Sequence, residues 1–174
     1  MKKKLLLILL IPLLILVTAC ENNSKVDKKE MQSMELLDYK YGTMTFYYPK
    51  KLSFSVETIE TENGNALSLI SHDYLTNINL FFDYDVNEDY ENMINNCKTT
   101  KAYREYTWNN KYKGFSCGDE NNLSFVAKVY ESKIGYTRYL LGNFYMDDNR
   151  TGNLITIFNQ KNIQEWLNTM EYKK

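Results

Sequence analysis

Residues 114 to 118 read GFSCG, the G-x-S-x-G spacing in which a sharp strand-to-helix turn lifts a serine hydroxyl out for nucleophilic attack. That chemistry needs a histidine to take the hydroxyl proton, and around this motif the histidine follows the serine in the chain. The chain has one histidine, His72, and it lies upstream of Ser116. The residues that follow, Gly118-Asp119-Glu120-Asn121-Asn122, read as a turn and not as a helix start. The pattern therefore predicts a β-strand that ends in a glycine turn, with Ser116 structural.

Metal chemistry has no better footing. His72 sits in SHDYLTN, a turn-like link, and a zinc site would have to combine it with Cys97, Cys117 and a carboxylate without any close ligand pair. In DYDVNEDYE, residues Asp83, Asp85 and Asn87 fall at calcium-loop positions. Glu88 then stands where glycine is needed and Ile94 where a bidentate glutamate is needed, so the match fails twice. Carboxylates at a helix N-terminus account for the same residues through the helix dipole. No phosphate-binding glycine loop or paired-histidine motif is present. The expectation is a protein with no catalytic residue, no metal and no cofactor.

One further stretch carries recognition chemistry. In REYTWNNKYKGF, residues 104 to 115, a two-residue turn at Asn109-Asn110 would set Trp108 opposite Lys111, Tyr106 opposite Lys113 and Arg104 opposite Phe115. Such a face is either cross-strand cation-π packing on a solvated sheet or a shallow platform for an anionic glycan or polymer. The candidate binding face is thus Arg104, Tyr106, Trp108, Lys111 and Lys113.

The elements that must hold these residues begin after an unusual N-terminus. Lys2, Lys3 and Lys4 precede an apolar run from Leu5 to Val17, which closes on Thr18, Ala19 and Cys20. Charged, apolar and small-residue regions in that order form a secretory signal. Thirteen helical residues reach roughly 20 Å, short of the ~30 Å hydrocarbon core. The stretch LVTAC resembles a bacterial lipobox. The resemblance implies cleavage after Ala19, removal of residues 1–19 and a diacylglyceryl thioether on Cys20, two acyl chains being enough for stable anchoring. The implied location is the extracytoplasmic face of a membrane. With three lysines of the leader gone, 18 of the 21 basic residues face 22 acidic ones, a formal charge near −4. That balance argues against a nucleic-acid partner.

With Cys20 lipidated, Cys97 and Cys117 remain. They either pair, closing a loop of about twenty residues worth roughly 3 kcal/mol, or Cys97 fills the apolar stripe of its helix as a small hydrophobe.

Residues 20–37 read as a lipidated, flexible tether, and 38–174 as one globular domain. Within it, Leu52, Phe54 and Val56 share a face of a strand, and Asn63-Gly64 is expected to supply the positive φ angles of a hairpin turn. Strands are expected over TMTFYY, NINLFFDY, LSFVAKVY, YTRYLLGNFYM and NLITIF. Two segments switch to helical period: Tyr90, Met93, Ile94 and Cys97, with Asp85 and Glu88 as a capping pair, and Ile163, Trp166, Leu167 and Met170. The predicted class is α+β, an antiparallel sheet with a mid-chain and a C-terminal helix packed on its faces.

That element order, with Phe46, Tyr48, Pro49 and Leu52 in TFYYPKKLSF, resembles the PsbP-like fold. The tryptophan common just after the proline in that family is absent here, and no functional residue is carried over. The resemblance implies a non-catalytic accessory or assembly role. The expected function is an anchored lipoprotein that binds or assembles an envelope partner; an immunity-type lipoprotein that masks a target and a small envelope enzyme are the alternatives.

Overall fold

The structure is a computed structural model and describes residues 31–49, 54–71, 76–83, 90–133, 137–146 and 152–174. Among them, ten strands form one antiparallel sheet that curls into a half-barrel. Chain order is β1 (Met31–Asp38), β2 (Gly42–Pro49), β3 (Phe54–Thr61), β4 (Gly64–Ser71), β5 (Thr76–Asp83), α1 (Tyr90–Cys97), β6 (Arg104–Trp108), β7 (Tyr112–Gly118), β8 (Leu123–Glu131), β9 (Thr137–Met146), α2 (Leu154–Phe158), α3 (Lys161–Leu167) and β10 (Glu171–Lys173). The strands run β10-β2-β1-β4-β5-β9-β8-β7-β6 across the sheet, with β3 paired to β4 off this path. The α+β expectation holds coarsely, but sheet predominates.

Alternation builds the inner face. Met34 and Leu36 of β1, Met44 and Phe46 of β2, Ile78, Leu80 and Phe82 of β5, and Leu140 and Phe144 of β9 all point into one core. Helices α2 and α3 fill the half-barrel. Trp166 packs between Phe46 at 5.5 Å and Phe54 at 5.9 Å, and Phe158 meets Phe125, Phe144 and Trp108. At one end of the core Arg138 forms a buried ion pair with Asp38 and lies 4.0 Å from the Tyr41 ring centre.

Four expectations need correction. Residues 31–37, read as tether, form β1, because Met34 and Leu36 alternate into the core and every residue of the strand pairs with β2. NLITIF is helix α2 and not a strand. Asn153 caps it by accepting the Thr156 N–H at 3.0 Å, and Leu154 and Phe158, four apart, share its buried side. In the β3–β4 hairpin the two-residue turn is Glu62-Asn63, and Gly64, φ +147°, already pairs with Thr61. A Cβ at Gly64 would lie 2.0 Å from the Leu37 carbonyl oxygen, so close approach to β1 also demands glycine.

The fourth concerns register. Asn109 and Asn110 do adopt positive φ, 53° and 51°, and Lys111 N–H bonds the Trp108 carbonyl. Lys111 is then an extra residue, so Trp108 pairs with Tyr112, Thr107 with Lys113, Tyr106 with Gly114, Glu105 with Phe115 and Arg104 with Ser116. The whole ladder is shifted by one, which exchanges its faces.

Candidate functional site

The shift dismantles the predicted aromatic and basic platform. Trp108 is only 2% exposed, packed edge-on to Phe125 with its indole N–H donating to Gln164 Oε1 at 3.1 Å. Its ring covers Gly114, where a Cβ would lie 2.3 Å from it. Tyr106 stacks on Trp108 at 5.1 Å and donates its hydroxyl hydrogen to Asn159 Oδ1 at 2.8 Å. Lys111 sits 4.9 Å from the Tyr112 ring centre, Lys113 lies on the opposite face opposite Thr107, and Arg104 is exposed and bonds the Tyr103 carbonyl. Only Tyr106 and Trp108 meet, beside an open groove of about 350 Å³ against α3. Several polar groups of that groove are already engaged: Gln164 with Trp108, Asn168 with the Asn109 N–H, Lys161 with Glu165 at 3.6 Å.

Ser116 lies in β7, buried, and its hydroxyl donates to the Ala102 carbonyl. Strand β8 follows it after the turn at 119 to 122, where Asp119 accepts the N–H groups of Asn121 and Asn122 at 2.9 and 3.0 Å. Those two bonds hold the Asp119 carboxyl below its ordinary range. Cys97 and Cys117 are joined as a disulfide, with an S–S distance of 2.07 Å. Cys20, Leu52, His72, Asp85, Asn87 and Glu88 lie outside the described residues. Among the described residues no three His, Cys, Asp or Glu side chains are grouped to hold a metal ion. No described helix is long and apolar enough to cross a membrane.

The outer face of the sheet is where the molecule is unevenly finished. Over β7, β8 and β9, helix α1 closes a second core of Ile94, Phe115, Val126 and Tyr139, none more than 7% exposed. The disulfide from Cys97 to Cys117 fastens the helix there. Tyr90 stacks on Tyr139 at 6.0 Å, and its hydroxyl is pushed up to about 12, first by burial and then by the charge of Glu105. Over β1, β3, β4 and β5, no described element covers the same face. Leu37 and Ile59 stand 36% and 57% exposed, Phe81, Ala66 and Ile70 lie half-buried among them, and Tyr145, at the end of β9 opposite Asn77 of β5, is 42% exposed beside them. Single exposed apolar side chains are ordinary; six on one face of adjoining strands are not.

Sheet topology opens this face further. Strands β1 and β5 share one edge of β4, but β5 pairs along Leu67 to Ile70 while β1 touches only Gly64. In the fork between them lies a notch of about 330 Å³, lined by Leu37, Thr61, Asn65, Ala66 and Phe81 among others. Asn65 replaces the missing ladder, its side chain accepting the Leu37 N–H and donating to the Glu35 carbonyl at 3.5 Å. The exposed charges are one-sided: β1, β3, β4 and β5 contain no lysine or arginine, and apart from Asp38, which is buried against Arg138, they place Glu35 and Glu57 on this face. An apolar surface with a carboxylate rim suits a protein partner and offers an anion nothing.

These residues were not singled out by alternation, yet a sequence signal exists. Leu36-Leu37, Ala66-Leu67, Leu69-Ile70 and Phe81-Phe82 are apolar neighbours in strands. Adjacent strand residues face opposite ways, so such pairs mark a sheet apolar on both sides.

Comparison with protein-family models, with curated proteins and with solved structures finds no match for this chain.

Proposed function

We propose that the protein is a lipoprotein, anchored through Cys20 to the extracytoplasmic face of a membrane, that acts as a non-catalytic binding or assembly module. The observation that carries this reading is the half of the outer face left apolar over β1, β3, β4 and β5, beside a half of the same sheet that α1 closes. Completing the burial of a half-exposed leucine or isoleucine is worth on the order of 1 kcal/mol, so several together can hold a partner. The partner is an envelope protein. An anionic glycan fits poorly, because the four strands expose the carboxylates of Glu35 and Glu57 on this face and contain no lysine or arginine. The resemblance of LVTAC to a lipobox supports the anchor.

Fractionation with capture from intact envelopes tests both parts. The wild type is expected in the membrane fraction with a co-purifying protein; Cys20→Ala is expected in the soluble fraction, and Ile59→Asp in the membrane without the partner. Capture unaffected by Ile59→Asp would remove the docking role, and an unmodified mature Cys20 in mass spectrometry would remove the anchor.

A further inference from the structure

Strand β3 has one edge bonded to β4, and no other described strand lies against its second edge. The two-residue turn makes Thr61 and Gly64 a hydrogen-bonded pair, so Thr61, Ile59 and Glu57 aim their backbone groups at β4. The Asn63 carbonyl accepts the Tyr39 N–H on the opposite edge of β4, which fixes the same parity independently. The N–H and C=O groups of Val56, Thr58 and Glu60 therefore point away from the sheet. Residues 56 to 62 are exposed on both faces. From Val56 to Thr61 this edge has no partner strand among the described residues, and it forms a template on which another extended chain can be hydrogen-bonded.

The charges on this strand select the occupant. Glu57 projects to the outer face with Ile59, Glu60 to the other face with Val56, and Glu62 stands at the tip. None of the three is in an ion pair among the described residues, and β3 and β4 contain no basic residue. A second copy of the chain would bring six such carboxylates together along one ladder, and like charges across a ladder are destabilising. A strand with two basic residues three apart would instead meet Glu60 on one face and Glu57 on the other, with apolar residues against Ile59 and Val56.

We infer that β3 takes up an extended, basic segment of a partner protein as an added antiparallel strand. This rests on the docking reading above and names the partner's chemistry and the way it is held.

The test uses the capped peptide TKVTKVT, its glutamate counterpart TEVTEVT, and the mature chain beginning at Cys20 without lipid. The lysine peptide is expected to bind and to protect the amides of Val56, Thr58 and Glu60 from exchange, with the glutamate peptide at least tenfold weaker. Thr58→Pro removes one outward N–H, which an edge strand tolerates, and is expected to weaken binding at least tenfold at an unchanged melting temperature. Glu57→Lys with Glu60→Lys is expected to reverse the preference between the peptides. If Thr58→Pro unfolds the chain, the amide protection and the charge reversal still decide. Protection elsewhere, an unreversed preference, no binding, or a wild-type dimer that Thr58→Pro dissociates would each overturn the inference. Loss of the envelope partner in Ile59→Asp but not in Thr58→Pro would overturn strand addition while leaving the docking face standing.

Discussion

The outer face of this sheet is closed by α1 over β7 to β9 and, among the described residues, left uncovered over β1, β3, β4 and β5. On the finished side, Phe115 and Tyr139 are buried under α1, and the Cys97–Cys117 bridge holds the helix down. On the other side Leu37, Phe81 and Ile59 are the same kind of residue on the same sheet, with no described element where the helix would be. Apolar side chains stabilise a fold only when something in the fold covers them. The difference teaches that the uncovered part of the outer face adds little to stability, and the proposed docking role gives its apolar residues a reason to be there.

The largest expected contrast comes from truncating one residue of the finished half. Phe115→Ala should cost about 3 to 5 kcal/mol in denaturant unfolding, since the ring is fully buried beneath α1. A loss under about 1 kcal/mol would mean that α1 does not close this face. Next is the bridge. Cys97→Ser with Cys117→Ser opens a loop with a sequence separation of 20 and should cost about 3 kcal/mol, and thiol counting on unreduced wild type should find neither cysteine free.

A smaller effect should appear in alkali. Tyr90 keeps its proton up to about 12 in the folded chain against 10.0 unfolded, chiefly through its burial between α1 and the sheet. Below pH 10 both states hold the proton and no stability is lost; between 10 and 12 the unfolded chain alone ionises, which draws the equilibrium toward it, and above 12 both are ionised and the loss is complete. Stability should therefore fall between those pH values. The phenolate absorbance of Tyr90 should rise with loss of near-ultraviolet dichroism, and Tyr90→Phe should flatten the fall. Smallest of all, Ile59→Asp on the open half should shift stability by no more than about 0.5 kcal/mol.

The two halves were unequally legible in the sequence. The stripe of Tyr90, Met93, Ile94 and Cys97 carries its own period, and α1 forms where it points. The inner-face strands follow from alternation. Helix α2 did not, because LITIF has β-branched residues and becomes helical only through the Asn153 cap and the burial of Leu154 and Phe158. The turn at Asn109-Asn110 was readable from residue type, but the extra residue Lys111 was not. It is set at long range, by Asn168 and Met170 bonding the Asn109 backbone and side chain and by the pocket that takes Trp108. Strand β1 was hidden by polar neighbours, since Gln32, Ser33 and Glu35 mask an alternation of only Met34, Leu36 and Asp38. The open face was written as apolar doublets, which distinguish a two-sided sheet but not which of its sides another element of the chain will cover.

The contrast between the halves is tested most directly in living cells, by a photo-cross-linking residue placed at Ile59 or at Asn95, an exposed position on α1. Both versions keep the N-terminal segment and the fold unchanged. The account predicts a discrete protein adduct from position 59 and none from position 95, with the adduct lost when Phe81→Asp is added. An adduct from position 95 alone, or equal adducts from both, would contradict it.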